Sequence, residues 1–257
     1  MSVDTVNSTI ELLTFLLECG GDPPFIYRGQ PEHKTLLPRG WRGPFAGKDK
    51  DLLRGWKRQA IAFSDASKMR DDWDWMTLAQ HHGLPTRLLD WSLNPLTAAY
   101  FATACLADRN SSCEPDGVIY AAKFVATALV DDEILEAGPF SEKLDGKVRV
   151  LYPNRVAVRA SAQSGVFTVH GGNIEVSRGN DFGSLTFSET NTEFLDNFRI
   201  AVIPGKQKQN VRRDLARLGV HPLSCFPDLD GLSAYWRWGV EEDIFLQPGE
   251  FYWGATS

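Results

Sequence analysis

The sequence predicts an α+β fold, in which helices flank a central mixed or antiparallel sheet. Helical patterns dominate the first hundred residues, strand patterns begin near residue 118, and further helices come late in the chain. That order differs from the regular strand–helix alternation that is typical of a parallel sheet. Because no internal repeat or low-complexity linker interrupts the 257 residues, we expect a single domain over residues 1–257.

Helices are predicted where apolar residues recur every three to four positions and a recognisable residue begins or ends the run. Ser8 is a typical N-cap, Asn94-Pro95 opens a helix with proline in its first turn, and Gly219 suits a left-handed C-terminal position. Gly83-Leu84-Pro85 must end the helix before it, because proline lacks a backbone donor. The predicted helices cover residues 9–19, 49–69, 75–82, 95–102, 207–218 and 232–238.

Strands are predicted from short runs of β-branched and aromatic residues. The first of them ends with Arg28 and Gly29, and another strand, or a strand-like turn, follows Pro85. Most of the others come after the polar loop at residues 108–116. The predicted strands cover residues 25–29, 86–91, 118–124, 156–160, 166–170 and 198–203.

Composition and charge narrow the range of partners. The net charge of −6 argues against a protein that coats nucleic acid through general electrostatics, although local basic patches stay possible. The sequence shows neither a secretory signal nor an apolar stretch of about 20 residues, so we expect no contact with a membrane. The cysteines are scattered, which predicts reduced, mostly buried thiols and a cytoplasmic location. They are Cys19, Cys105, Cys113 and Cys225.

The densest polar cluster lies at residues 80–91, across a predicted helix–turn–strand junction. Polar side chains between apolar ones are costly unless they bond each other or a ligand, so a buried or cleft-lining network is expected. Within it, Gln80 and Thr86 are candidate partners. Arg87 and Asp90 are expected either as a structural ion pair or as ligand-binding groups, and Trp91 either in the core or stacked on a flat ligand.

His81 and His82 leave three interpretations open. One is a metal site, one is a satisfied structural histidine, and one is a ligand-binding or acid/base group. A metal would need further ligands from a distance, and adjacent histidines on a helix point in different directions. We therefore expect no metal.

Arg28 is the sharpest single candidate, because an arginine before a glycine at a strand end presents a planar fork of donors beside open backbone. Such a fork suits a phosphate or a carboxylate, although a salt bridge to Asp90 is the alternative. Further along, Gln163, Thr168 and His170 would line the same cleft if the sheet folds back on the first strand.

Several familiar catalytic signatures are missing from the sequence. It contains no glycine-rich dinucleotide fingerprint, no phosphate-binding P-loop, no zinc-protease motif and no nucleophile elbow. The missing motifs argue against four classes of enzyme. These classes are dehydrogenases of the dinucleotide fold, P-loop nucleotidases, zinc proteases with that motif and α/β-hydrolases.

The residues resemble the FRG domain family over about residues 25–235. The resemblance rests on Tyr27-Arg28-Gly29-Gln30, on Leu36-Leu37-Pro38-Arg39, on the block at residues 78–91 and on the tail at residues 225–232. FRG domains are largely uncharacterised and often look like parts of bacterial toxin or phage-defence systems. The resemblance therefore implies a defence role rather than a particular reaction.

A more distant similarity is to ADP-ribosyltransferases, which implies their fold and NAD as the substrate. In that family an early arginine or histidine, a middle hydroxyl motif before a helix and a late glutamate follow one another along the chain. Arg28 would hold the NAD diphosphate or ribose, Thr86 the middle position and Gln163 the late one, with Asp90 as a substitute carboxylate. The acceptor would be a protein, a nucleic acid or a small molecule.

The resemblance thus yields two sets of site residues. The expected catalytic residues are Arg28, His82, Thr86, Asp90 and Gln163. The expected NAD-binding residues are Tyr27, Arg28, Gly29, Gln80, His81, Arg87 and Trp91. Two alternatives stay open, namely a noncatalytic module that binds a nucleotide or a phage protein, and a metal-dependent hydrolase or nuclease that uses His81, His82 and Asp90.

Overall fold

A single sheet organises the protein. The structure is a computed structural model and describes residues 2–21, 24–104, 114–153, 164–172 and 195–241. Within these ranges seven strands form one sheet in the order β1-β7-β4-β2-β3-β6-β5, and only the β1–β7 pair is parallel. The strands are β1 (Ser2–Thr5), β2 (Ile26–Gln30), β3 (Leu88–Ser92), β4 (Gly117–Phe124), β5 (Val148–Leu151), β6 (Gly165–His170) and β7 (Leu195–Ile203).

Helices cover one face of this sheet. They are α1 (Thr9–Glu18), α2 (Asp49–Ala60), α3 (Asp72–His81), α4 (Pro95–Thr103), α5 (Asp132–Ala137), α6 (Gly205–Arg217), α7 (Pro222–Cys225) and α8 (Leu229–Glu241). Apolar residues of α1, α4 and α6 pack on the half of the sheet that contains β2, β4 and β7. Residues of α2, α3 and α5 pack on the half that contains β3, β5 and β6.

The pairing of β2 with β4 shows which side chains lie on each face of the sheet at its centre. Tyr27 lies opposite Ala121, and both face the layer of α1, α4 and α6. Ile26 lies opposite Ala122, and both belong to the apolar cluster on the other face. Because side chains alternate along a strand, Arg28 lies on the same face as Ile26.

The predicted α+β class with a mostly antiparallel sheet is confirmed, and most predicted elements are present. The helix expected at residues 49–69 is shorter and ends at Ala60, whose carbonyl oxygen accepts from the backbone nitrogen of Phe63 and from the Ser64 hydroxyl. The helix expected from residue 75 begins earlier, at Asp72, because Asp71 accepts from the backbone of Asp74 as an N-cap. Four short elements were not predicted, namely β1, α5, β5 and α7. The strand expected at residues 156–160 lies outside the described residues.

Gly29 lets α4 cross β2 at very close range. A Cβ atom at Gly29 would stand 1.8 Å from the carbonyl oxygen of Ala98 and 2.7 Å from the backbone nitrogen of Ala102. The glycine therefore belongs to the helix–sheet contact, and the NAD-binding role expected for Gly29 stays a prediction.

Substitution of Gly29 tests this contact. We expect Gly29→Ala to lower the free energy of unfolding by about 3 kcal/mol, because α4 must move away from β2 to make room. The matched control is Gly55→Ala in α2, where a Cβ meets no atom within 4 Å. There we expect a gain of about 0.5–1 kcal/mol from the better helix former. Urea unfolding of both variants measures the difference, and equal effects would contradict the account.

Candidate functional site

A cleft opens where the two central strands separate. β2 and β3 share only one paired position, Tyr27 with Ser92, whereas β2 stays paired with β4 as far as Gln30. The cleft beside this gap has a volume of about 490 Å³. Its described lining contains the guanidinium groups of Arg28, Arg39 and Arg42, and Asp90 as the one acidic side chain.

Arg28 and Asp90 meet across the gap between the strands. Arg28 Nη1 donates to the backbone oxygen of Asp90 at 2.6 Å and lies 3.9 Å from the carboxylate oxygen Oδ2. Among the described residues, the buried Nε of Arg28 has no hydrogen-bond partner. The Asp90 side chain is 57% exposed, so its carboxylate is open to a ligand in the cleft.

A chain of hydrogen bonds holds Asp90 from the other side. Gln80 at the end of α3 donates from Nε2 to Asp90 Oδ2 at 2.9 Å, and its Oε1 accepts from the Thr86 hydroxyl at 2.6 Å. Thr86 Oγ1 in turn accepts from the backbone nitrogen of Leu88 at 3.1 Å. Thr86 is buried and does not reach the cleft, so its expected catalytic role is corrected to that of a positioning residue for Gln80.

Two further arginines come from the loop before α2 and were not predicted as site residues. This loop is fastened next to β3 because the backbone nitrogen of Gly40 donates to Thr86 O at 2.8 Å. Arg42 donates to the backbone oxygens of Thr35 and Leu37, which fixes its guanidinium at the cleft wall. Arg39 is more exposed and makes one long bond, 3.4 Å, to Gly83 O.

The cleft carries an excess of positive charge. Burial lowers the pKa of Arg28, and the charge of Asp90 offsets part of this effect. Burial also lowers the pKa of Arg42, and the neighbouring charge of Arg39 lowers it further. Arginine side chains in proteins carry a positive charge at neutral pH. An anion bound between them would relieve this repulsion and form charge-assisted hydrogen bonds.

Arg87 pairs with Asp49 and not with Asp90. Its Nε and Nη2 bond the two carboxylate oxygens of Asp49 at 2.6 and 3.2 Å, and its Nη1 donates to Pro139 O at 3.1 Å. Its guanidinium carbon lies 4.4 Å from the centre of the Phe140 ring. Arg87 is therefore a buried structural cation, and both its expected pairing and its expected NAD-binding role are corrected.

Trp91 and Tyr27 are also core residues rather than cleft residues. Trp91 is buried and donates from Nε1 to the Thr168 hydroxyl at 3.0 Å. Tyr27 lies on the face opposite to Arg28, where its hydroxyl donates to Cys19 O at 2.8 Å and burial raises its pKa to about 12. Neither side chain lines the cleft of Arg28, and the NAD-binding roles expected for both stay predictions without support from their positions.

The two histidines lie beside the cleft without lining it. His81 is the last residue of α3 and His82 follows it, with ring centres 5.0 Å apart. The lining resumes at Gly83 and Leu84. The catalytic role expected for His82 and the NAD-binding role expected for His81 therefore lack support from their positions.

Of the late candidates, Gln163 lies outside the described residues. Thr168 and His170 lie on β6 in the apolar cluster on the opposite side of β3 from Gln80, with Thr168 Oγ1 and His170 Nε2 3.2 Å apart. Burial lowers the pKa of His170 to about 3, so its ring is neutral. Neither residue lines the cleft of Arg28.

The described part of the chain has neither a metal centre nor a membrane-crossing helix. No group of three or more His, Cys, Asp or Glu side chains in it is arranged to hold a metal ion. None of its helices combines the length and the apolar character that a membrane crossing requires. Cys19 and Cys225 are buried free thiols.

Together, the fold and the cleft define an α+β protein with one mostly antiparallel sheet and an arginine-lined cleft at its centre. A family model described as FRG domain matches residues 23–111, so this segment of the chain is similar to an FRG domain. The matched segment includes every described residue that lines the cleft, whereas the tail motif at residues 225–232 lies outside it. Comparison with curated proteins and with solved structures found no match.

Proposed function

We propose that the cleft binds the diphosphate of NAD and that the protein is an ADP-ribosyltransferase-like enzyme. The observation that carries the proposal is the presence of Arg28, Arg39, Arg42 and Asp90 on one open cleft of about 490 Å³. Small-molecule sites typically have volumes of about 300–1,000 Å³. A dinucleotide has both the negative charge that the arginines would bind and a positively charged nicotinamide that a carboxylate would approach.

The three arginines of the cleft would have different roles in binding the diphosphate. Arg28 and Arg42 are fixed by bonds to backbone oxygens, so they are preorganised to donate their remaining N–H groups to phosphate oxygens. Arg39 is exposed and weakly held, so it is free to close over a bound diphosphate. Paired arginine–phosphate contacts are strong because both partners are charged and planar donors match the phosphate oxygens.

Asp90 is the proposed catalytic carboxylate. The bond between C1 of the nicotinamide ribose and the nicotinamide nitrogen breaks, and its electron pair leaves with nicotinamide, which becomes neutral. A carboxylate stabilises the positive charge that then develops on the ribose. Water or an acceptor on a protein, a nucleic acid or a small molecule attacks C1 and gives up a proton. Among the described residues no hydrogen bond reaches Asp90 Oδ1, which leaves that oxygen for the ribose.

A second candidate function is a noncatalytic module that binds a nucleotide within a defence system. It is favoured by the Arg28–Asp90 contact, since a pair already joined across two strands serves equally as a structural clamp. Such a module binds NAD without releasing nicotinamide. Both functions fit the bacterial toxin or phage-defence setting that the resemblance to FRG domains implies, and the cytoplasmic location that the scattered cysteines predict.

Thermal melting with ligands tests the binding step. At about 100 times its Kd, NAD should stabilise the protein by about 2.7 kcal/mol and raise the melting temperature by about 5 °C or more. ADP-ribose should do the same, because it carries the diphosphate, whereas nicotinamide alone should not.

Arg39 provides the matched variant for this test. Arg39→Gln should weaken NAD binding by about tenfold or more through loss of one charged contact. Arg54→Gln, which removes an exposed arginine from α2 outside the cleft, should leave the NAD-induced shift unchanged. An equal shift with nicotinamide, or equal effects of the two substitutions, would contradict a diphosphate site.

A further inference from the structure

A second cationic site lies on α2, and among the described residues it shares no lining residue with the cleft. It is a groove of about 410 Å³ with Leu53, Ile61 and the Phe140 ring as its apolar part. Its described lining contains four basic side chains and one acidic side chain, Asp72. The basic residues are Lys50, Arg54, Lys57 and Arg58, which we call the α2 row.

Most of the α2 row has no acidic partner within the part of the chain that the structure describes. Lys57 is neutralised by Asp72, whose Oδ1 lies 2.6 Å from Lys57 Nζ. Among the described residues, no carboxylate lies within ion-pair distance of Arg54 or Arg58, and Lys50 Nζ instead stands 5.9 Å from the centre of the Phe140 ring. In a protein of net charge −6, such a concentration of unpaired cations indicates a site for an anionic partner.

The spacing of the row fits a partner with regularly repeated charges. Lys50, Arg54 and Arg58 are four residues apart, so they lie on one side of the helix about 6 Å from each other along its axis. A nucleic acid strand carries one phosphate per nucleotide, and arginine forks match phosphate oxygens. Three successive phosphates are therefore within reach of three successive helical turns.

An exposed aromatic ring lies just beyond the end of the row. Phe63 is 90% exposed and Ile61 is 55% exposed, immediately after α2 ends at Ala60. Proteins that bind single-stranded nucleic acid combine cations along the backbone with aromatic rings on which bases stack. An acidic peptide would use the same cations but would leave the ring of Phe63 without a role.

We propose that the α2 row binds single-stranded nucleic acid, with its phosphates on Lys50, Arg54 and Arg58 and a base stacked on Phe63. The site is local, so it agrees with a net charge that disfavours general coating of nucleic acid. It does not depend on the proposed NAD chemistry, and its test contains no NAD.

The test measures the fluorescence anisotropy of a labelled oligothymidine of about 16 nucleotides, a length that spans such sites. For three phosphate contacts, the affinity should fall roughly 20-fold between about 50 mM and about 200 mM salt. The double variant Arg54→Gln/Arg58→Gln should bind about tenfold more weakly and should lose most of this salt dependence. Phe63→Ala should weaken binding about fivefold or more with an unchanged salt dependence.

The matched control is Lys206→Gln/Arg217→Gln, which removes the same charge from exposed positions on α6. It should bind like the wild type, and the melting temperature of every variant should show that it is folded. Absence of binding at low salt, or an equal loss in the control, would overturn the proposal. Displacement of the oligothymidine by poly-L-glutamate, together with no effect of Phe63→Ala, would overturn it in favour of an acidic protein partner.

Discussion

Asp90→Asn should reduce the rate of nicotinamide release from NAD by about 100-fold to 1,000-fold, while the protein stays folded. Asparagine has the same shape and can still accept from Gln80 Nε2, so the hydrogen-bond chain through Thr86 persists. It lacks the negative charge that would stabilise the ribose as the bond to nicotinamide breaks. Chromatography of nicotinamide at saturating NAD measures the rate, and the melting temperature reports the fold.

The matched control is Asp72→Asn, which makes the same chemical change at an exposed carboxylate outside the cleft. Its rate should stay within about twofold of wild type, since a surface ion pair is worth little. An Asp90→Asn variant with wild-type activity would show that another carboxylate does the chemistry. An equal loss in both variants would remove the argument for Asp90.

Asp49→Ala should lower the free energy of unfolding by about 3–5 kcal/mol, the largest stability effect we expect. The side chains of Arg87 and Asp49 are 8% and 4% exposed, and they are joined by two hydrogen bonds. Removal of the carboxylate leaves the guanidinium buried between Pro139 O and the Phe140 ring without a counter-ion. The midpoint and slope of urea unfolding measure the loss.

Lys143→Ala serves as the control for that prediction, because it breaks an ion pair with Glu133 in which both side chains are well exposed. Its cost should be about 0–1 kcal/mol. A cost for Asp49→Ala as small as that of Lys143→Ala would show that Arg87 is not held by Asp49 in solution.

Short-range sequence signals, such as an N-cap residue or a glycine after a helix, were enough to predict several elements correctly. Ser8 accepts from the backbone of Glu11 as the expected N-cap, and Gly219 takes the expected positive φ of 83°. The end of α2 was misjudged because apolar residues continue to Phe63, yet that ring faces solvent and Ser64 ends the helix. The short elements β1, α5, β5 and α7 carry too few residues for a period to be visible.

The residues of the cleft also include some that the sequence predicted and some that it did not. Arg28, Gln80 and Asp90, which the sequence singled out, line the cleft. Arg39 and Arg42 were not predicted as site residues, although Arg39 is the last residue of the Leu36-Leu37-Pro38-Arg39 motif. Their place in the cleft depends on the long-range contact between Gly40 and Thr86. The partner of Arg87 was missed because Asp49 is 38 residues away in sequence. Long-range pairing of this kind leaves no trace in local spacing.

The most direct test of the central claim is to incubate the purified wild-type protein with NAD and follow free nicotinamide by chromatography over time. The account predicts a steady release that exceeds the amount of protein, together with a higher melting temperature in the presence of ADP-ribose. No release and no change of melting temperature with NAD or ADP-ribose would contradict both the reaction and the diphosphate site.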